Sequence, residues 1–196
     1  DDVYSDLYFY EEDVPKMKLI KAMNPEGIDV CFTGSFSKIL GPGLRLGWML
    51  VPDHIYRKCE LIKQSIDACS PSISQVIADK FVRGGYIYDY TASVRQEYKK
   101  RGLAMIEVLE KNLPSYVTFE KPRGGFYIWL HLPEGTDATL ILQKALEKGV
   151  VFVTGKTFDP DGKKNDAMRV SFCNTDEAAI QKGIPLLAEA IREVCG

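Results

Sequence analysis

GSFSKILGPGLRLGW, residues 34–48, puts Lys38 just after a short apolar run and Arg45 seven positions later in a glycine-rich turn. The preceding run, IDVCFT at 28–33, reads as a buried strand, and RLGWMLV at 45–51 reads as a second strand closed by Pro52. Between them Ser35 and Ser37 carry hydroxyls, and the glycines let the backbone approach a ligand closely. Hydroxyls, a guanidinium and open backbone suit an anionic group such as phosphate. An amine partly out of water beside cationic groups is more readily in its neutral, nucleophilic form, which Schiff-base chemistry needs. A basic surface loop has the same short pattern, so composition and spacing leave both readings standing.

Outward from this turn, strands and helices alternate. Asp53 reads as the N-cap of a helix to about residue 68, with Ile55, Cys59, Ile62 and Ile66 at helical spacing. A second helix covers about 74–82 and ends at Gly84-Gly85. A long amphipathic helix follows at 88–111, with Val94, Tyr98, Ala104, Ile106 and Leu109 for its buried side. The last third reads as a small α+β unit: strands at 117–120, 125–131, 150–154 and 168–173, and helices at 138–148 and 176–194. The alternation predicts an α/β class. The break at Gly84-Gly85 divides the chain into 1–87 and 88–196.

Composition excludes several function classes. A net charge of -2 over 196 residues gives no reason to expect a nucleic acid or an acidic membrane as partner. No stretch is apolar enough to span a bilayer. The five cysteines are dispersed without a CxxC pair, and only His54 and His131 could join them, so neither a disulfide framework nor a metal site is expected. Reduced cysteines point to the cytoplasm. The chain starts Asp1-Asp2 without an initiator methionine, so a longer polypeptide is expected.

The stretch GSFSK…PGLRLGW resembles the cofactor-lysine region of the fold-type I pyridoxal-phosphate enzymes, within them the class I/II aminotransferases. Its wording is closest to the subgroup of 2-aminoadipate and aromatic aminotransferases, and the aminotransferase-like domains of MocR-type transcription regulators share it. Three further stretches match in family order: Asp1-Asp2-Val3-Tyr4 resembles the D-x-x-Y element, residues 122–129 resemble the P-x-G-G-x-F-x-W strand with Tyr127 where phenylalanine is usual, and residues 168–172 resemble the late arginine strand.

The resemblance implies a PLP-dependent transferase-like fold, with 1–87 as the end of the large cofactor domain and 88–196 as the small carboxyl-terminal domain. It implies pyridoxal 5'-phosphate as cofactor, an amino acid and a 2-oxo acid as substrates, and a homodimer for the full-length protein. Lys38 then holds the cofactor covalently and shuttles the substrate proton. Asp1 pairs with the pyridine nitrogen, and Tyr4 hydrogen-bonds the ring's phenolic oxygen. Ser35, Ser37 and Arg45 bind the phosphate, and Arg169 grips the substrate α-carboxylate. Gly124, Gly125 and Trp129 are structural by the same comparison, as are His54 and His131.

The family's amino-terminal phosphate turn, its cofactor-stacking aromatic ring and an asparagine are not found here. The chain alone is therefore expected to lack transaminase activity. Two alternatives remain: a cofactor-sensing domain of a MocR-type regulator, and a non-catalytic structural fragment.

Overall fold

The computed structural model describes residues 2–23 and 29–196, and these fall into two compact units, Asp1–Gln96 and Glu97–Gly196. The division falls within one helix, beyond the Gly84-Gly85 break that the sequence suggests. The Asp1 assignment lies outside the described residues.

The first unit opens with short 3-10 turns at Ser5–Leu7, Glu11–Lys16 and Ile20–Met23, which hydrophobic periodicity does not announce. An antiparallel pair follows, β1 (Phe32–Ser35) and β2 (Gly47–Leu50), in the register Phe32↔Leu50 to Ser35↔Gly47. β1 thus starts four residues after the expected strand and takes in Ser35; residue 28 lies outside the described residues. Helices α1 (Asp53–Ile66) and α2 (Ser72–Arg83) come next. Pro52, extended, occupies the N-cap of α1, so Asp53 enters the first turn, where its charge complements the helix dipole.

Ile55, Cys59, Ile62 and Ile66 all fall on α1, at the helical spacing expected. No residue of α1 is buried, and Ile62 and Ile66 are 57% and 77% exposed. Amphipathic spacing identifies the apolar side of a helix, not what covers it. The core of this unit lies elsewhere, in Leu7, Phe9 and Ala78.

Helix α3 (Tyr86–Asn112) runs through the division into the second unit. That unit holds a four-stranded antiparallel sheet in the order β3-β4-β6-β5, formed by β3 (Thr118–Phe119), β4 (Tyr127–His131), β5 (Val153–Thr154) and β6 (Ala167–Ser171). Helix α4 (Ala138–Glu147) packs beside α5 (Glu177–Cys195). Side chains alternate along each strand, so Ile128 and Leu130 of β4 pair with Val170 and Met168 of β6 on the buried face. Ile180, Ile184, Leu187 and Ile191 form a buried stripe on α5 at helical period, and Met105, Ile106, Val108 and Leu109 do the same on α3. Each such fully buried side chain contributes about 1.5–3 kcal/mol relative to exposure.

All five cysteines are free, and among the described residues no group of three metal-binding side chains gathers. No described helix is long and apolar enough to cross a membrane.

Asp137 starts α4 by accepting a hydrogen bond from the Thr139 N–H at 2.9 Å, and Asn165 donates to both Asp137 and the Thr139 hydroxyl. The Thr139 backbone N–H, aided by the side chains of Thr139 and Asn165, holds the Asp137 carboxyl below the ordinary carboxylate range. A carboxyl lowered in the folded state stabilises above its unfolded value, and that contribution fades as pH falls through the lowered one. We expect Asp137→Asn, which still caps the helix, to flatten this acid-side loss. Urea midpoints of both proteins at about pH 7 and about pH 3 check it; equal losses in the two would refute it.

Candidate active site

In the first unit the candidate residues are gathered by the β1–β2 turn. Phe36 N–H donates to Leu46 O at 3.1 Å, closing the loop directly after Ser35↔Gly47. Leu40 and Gly41 N–H both donate to Phe36 O, at 2.8 and 3.1 Å, and wind the intervening chain into a tight turn that carries Ser37 and Lys38. The Ser35 hydroxyl accepts from Ser37 N–H at 3.2 Å, which leaves its own proton to be donated outward. Ser35, Ser37 and Lys38 are half-buried.

Arg45 ends the 3-10 turn Pro42–Leu44 with φ +50, in the left-handed region that a side chain enters at a cost of about 1–2 kcal/mol. One of its five donors goes to Pro42 O, Nη1 to O at 3.3 Å, and the side chain is exposed. The turn thus presents an amine, two hydroxyls and a guanidinium, a donor set that fits a small molecule bearing both a carbonyl and a phosphate.

Gly34 explains how the strands come close enough. A Cβ there would collide with the indole of Trp48, its partner in the register. Trp48 also packs on Phe32, with ring centroids 5.1 Å apart.

Tyr4 stands at the N-cap of the first 3-10 turn. Its segment is tied to β1 by Asp2 N–H donating to Thr33 O at 3.0 Å, while the Asp2 carboxylate accepts from Ser5 N–H at 3.2 Å. Fully buried Leu7 anchors the segment. Arg95 braces it further, with Cζ 4.3 Å from the Tyr8 ring centroid and Nη1 3.3 Å from Asp6 O. Burial and a hydrogen bond to Glu11 push the Tyr8 phenol up.

Arg169 belongs to the second unit. It lies on the less buried face of β6, opposite Trp129 of β4 and Val153 of β5. Its Cζ is 4.0 Å from the Tyr127 ring centroid and 4.5 Å from that of Phe158. Its Nε is buried and has no hydrogen-bond partner among the described residues. A recess lined by Tyr127, Val153, Arg169, Ser171, Asn174 and Thr175 opens beside it. An arginine held in this way offers an in-plane fork to a carboxylate.

Sequence reasoning missed the two rings on Arg169. Tyr127 showed only as a departure from a motif, and Phe158 gave no signal, because their meeting depends on strand pairing. Trp129 turns out to sit opposite Arg169 and edge-on to Phe158, at 5.3 Å.

The sequence profile of the family "Aminotransferase class I and II" matches residues 1–186. Over 193 residues the chain is 43% identical to aromatic-amino-acid aminotransferase 1 of Thermococcus litoralis, covering 98% of this chain and 45% of that protein. Its fold superimposes on the crystal structure of Pyrococcus horikoshii kynurenine aminotransferase in complex with PMP with a TM-score of 0.93 and 41% identity, covering 100% of this chain and 48% of that one. The architecture is that of the fold-type I aminotransferases. An uncharacterized helix-turn-helix transcriptional regulator of Bacillus subtilis, YdfD, is 31% identical over 194 residues, 99% of this chain and 39% of its own length. The chain spans about half the length of the aminotransferases it matches.

Gly34→Ala is expected to lower stability and shift Trp48 emission, because the added methyl must displace the indole. A destabilisation of about 1–3 kcal/mol fits an overpacked contact. Urea unfolding followed by tryptophan fluorescence measures both effects, and a wild-type midpoint and spectrum would contradict the close approach.

Proposed function

The chain belongs to the class I and II aminotransferases, and from that premise we propose that it is part of an enzyme moving an amino group between an amino acid and a 2-oxo acid with pyridoxal 5'-phosphate as cofactor. The supporting observation is the turn after β1, which carries half-buried Ser35, Ser37 and Lys38, the Ser35 hydroxyl with its proton available, and which leads into Arg45.

In this proposal the Lys38 amine holds the cofactor covalently. Its Nζ would accept the proton from the substrate α-carbon and hold it as an ammonium proton for redelivery. When bound, pyridoxal phosphate supplies a conjugated ring that spreads the electron pair left by the broken C–H bond. Ser35, Ser37 and Arg45 hold the phosphate, with two hydroxyl donors and a cation for its charge. Tyr4 donates a hydrogen bond to the cofactor's phenolic oxygen, and Asp1 pairs with the pyridine nitrogen. Arg169 binds the α-carboxylate through its fork, for which the buried, unpartnered Nε speaks.

We propose residues 1–87 as the end of the large cofactor domain and 88–196 as the small domain, and the complete protein as a cytoplasmic homodimer. A second reading, the cofactor-sensing domain of a transcription regulator, draws on the similarity to YdfD. The enzyme reading draws on the higher identity, 43% against 31%. A winged helix-turn-helix encoded upstream would reverse that preference.

Borohydride reduction of the complete protein with pyridoxal phosphate, followed by peptide mapping, is expected to place the label on Lys38; label on another lysine overturns the assignment. The 196-residue chain alone is expected to show no transamination, since it spans about half the length of the matched enzymes. Turnover by the purified chain would overturn that expectation.

A further inference from the structure

We propose that Tyr127 and Phe158 are positioning residues for Arg169, their rings orienting the guanidinium while leaving its N–H groups to the substrate carboxylate. The proposal rests on the reading of Arg169 as the carboxylate clamp.

An arginine is usually oriented by carboxylates or carbonyls, which consume its donors and offset its charge. The rings do neither. With Cζ 4.0 and 4.5 Å from the two centroids, the cation lies over ring faces that offer no oxygen acceptor to its N–H groups. A buried donor with no acceptor is costly. The Arg169 Nε is such a donor among the described residues, so the site favours a ligand that brings an acceptor in the guanidinium plane. A carboxylate does so with two oxygens at once.

The backbone delivers both rings to this point. Trp129 faces Arg169 across β4 and β6, so Tyr127, two residues away on the same face, reaches it on the diagonal. Phe158 closes the 3-10 turn Gly155–Phe158 that follows β5. A Cβ on Gly155 would lie 3.0 Å from Ala167 O, so glycine lets this turn settle against β6 beside Arg169. The Trp129 ring meets Phe158 nearly edge-on, at 75°, and buttresses it from the side.

The test uses the complete holoenzyme and the amino donor it turns over fastest. Tyr127→Met and Phe158→Met remove a ring and keep apolar bulk. Each is expected to raise KM for the amino acid and for the 2-oxo acid about tenfold, as loss of a desolvated cation–π contact implies, with kcat within about twofold. Tyr127→Phe keeps the ring and is expected to keep the wild-type KM. Phe158→Leu serves the same comparison if methionine disturbs folding.

Arg169→Lys separates the two layers of the argument. An unchanged KM in that variant refutes the clamp itself. A raised KM there, with wild-type KM in the ring-less variants, refutes the positioning role alone. A second readout needs no turnover. In the cofactor-free protein labelled with 15N-arginine, the Arg169 Hε resonance, identified by its loss in Arg169→Lys, is expected upfield through ring currents. It should move downfield on adding sodium propionate, because a hydrogen bond to a carboxylate deshields the proton, and in Phe158→Met the unliganded resonance should already lie downfield of its wild-type position. A resonance unaffected by removing either ring overturns the proposal.

Discussion

In a strand, successive side chains take opposite faces, so the pairing of β4 with β6 ties the core of the second unit to its candidate site. Ile128↔Val170 and Leu130↔Met168 close the buried face. The same register sets Trp129 opposite Arg169 on the other face and brings Tyr127 within reach of it. A slip by one residue would turn Arg169 into the core and Val170 or Met168 out of it. The burial of four apolar side chains therefore holds the arginine where it stands. Function here is the reverse side of packing.

The first unit uses a comparable device. Its β1–β2 pair is narrow enough for Trp48 to lie across the position of Gly34, and the tight turn it closes carries Ser35, Ser37 and Lys38. In each unit a glycine stands where another group must pass closely: Gly34 beneath an indole, Gly155 against the Ala167 carbonyl. Neither has a positive φ in the left-handed region, so conformational freedom is not what these positions require. They require the absence of a side chain.

How legible was this from sequence? The five helices were, because each spans ten or more residues and repeats its apolar positions near the helical period. The phosphate-suited turn was also legible, because its lysine, hydroxyls and arginine are neighbours along the chain. The turns between Ser5 and Met23 were not: three to six residues are too few to show a period. The apolar spacing of α1 was legible but its exposure was not, since sequence pattern carries no information about the covering partner. The surroundings of Arg169 were illegible for a third reason. Residues 127, 158 and 169 meet only after two strand pairings and a 3-10 turn have formed, and no local window contains them. Motif order could single out Arg169, but the rings that orient it required the fold.

The two candidate arginines keep their charge available by opposite means. Arg45 is exposed, held by a left-handed backbone and a single bond to a neighbouring carbonyl, so water and salt share its field. Its attraction for an anion is correspondingly screened, and the adjacent hydroxyls must supply direction. Arg169 is wrapped by aromatic rings and has a buried Nε, so its field is less screened and its direction is set by the rings themselves. The difference suits the ligands proposed for them. A phosphate retained through many turnovers is held by several hydroxyl and cationic donors acting together. A carboxylate that enters and leaves each cycle is better met by one oriented fork that is already partly out of water.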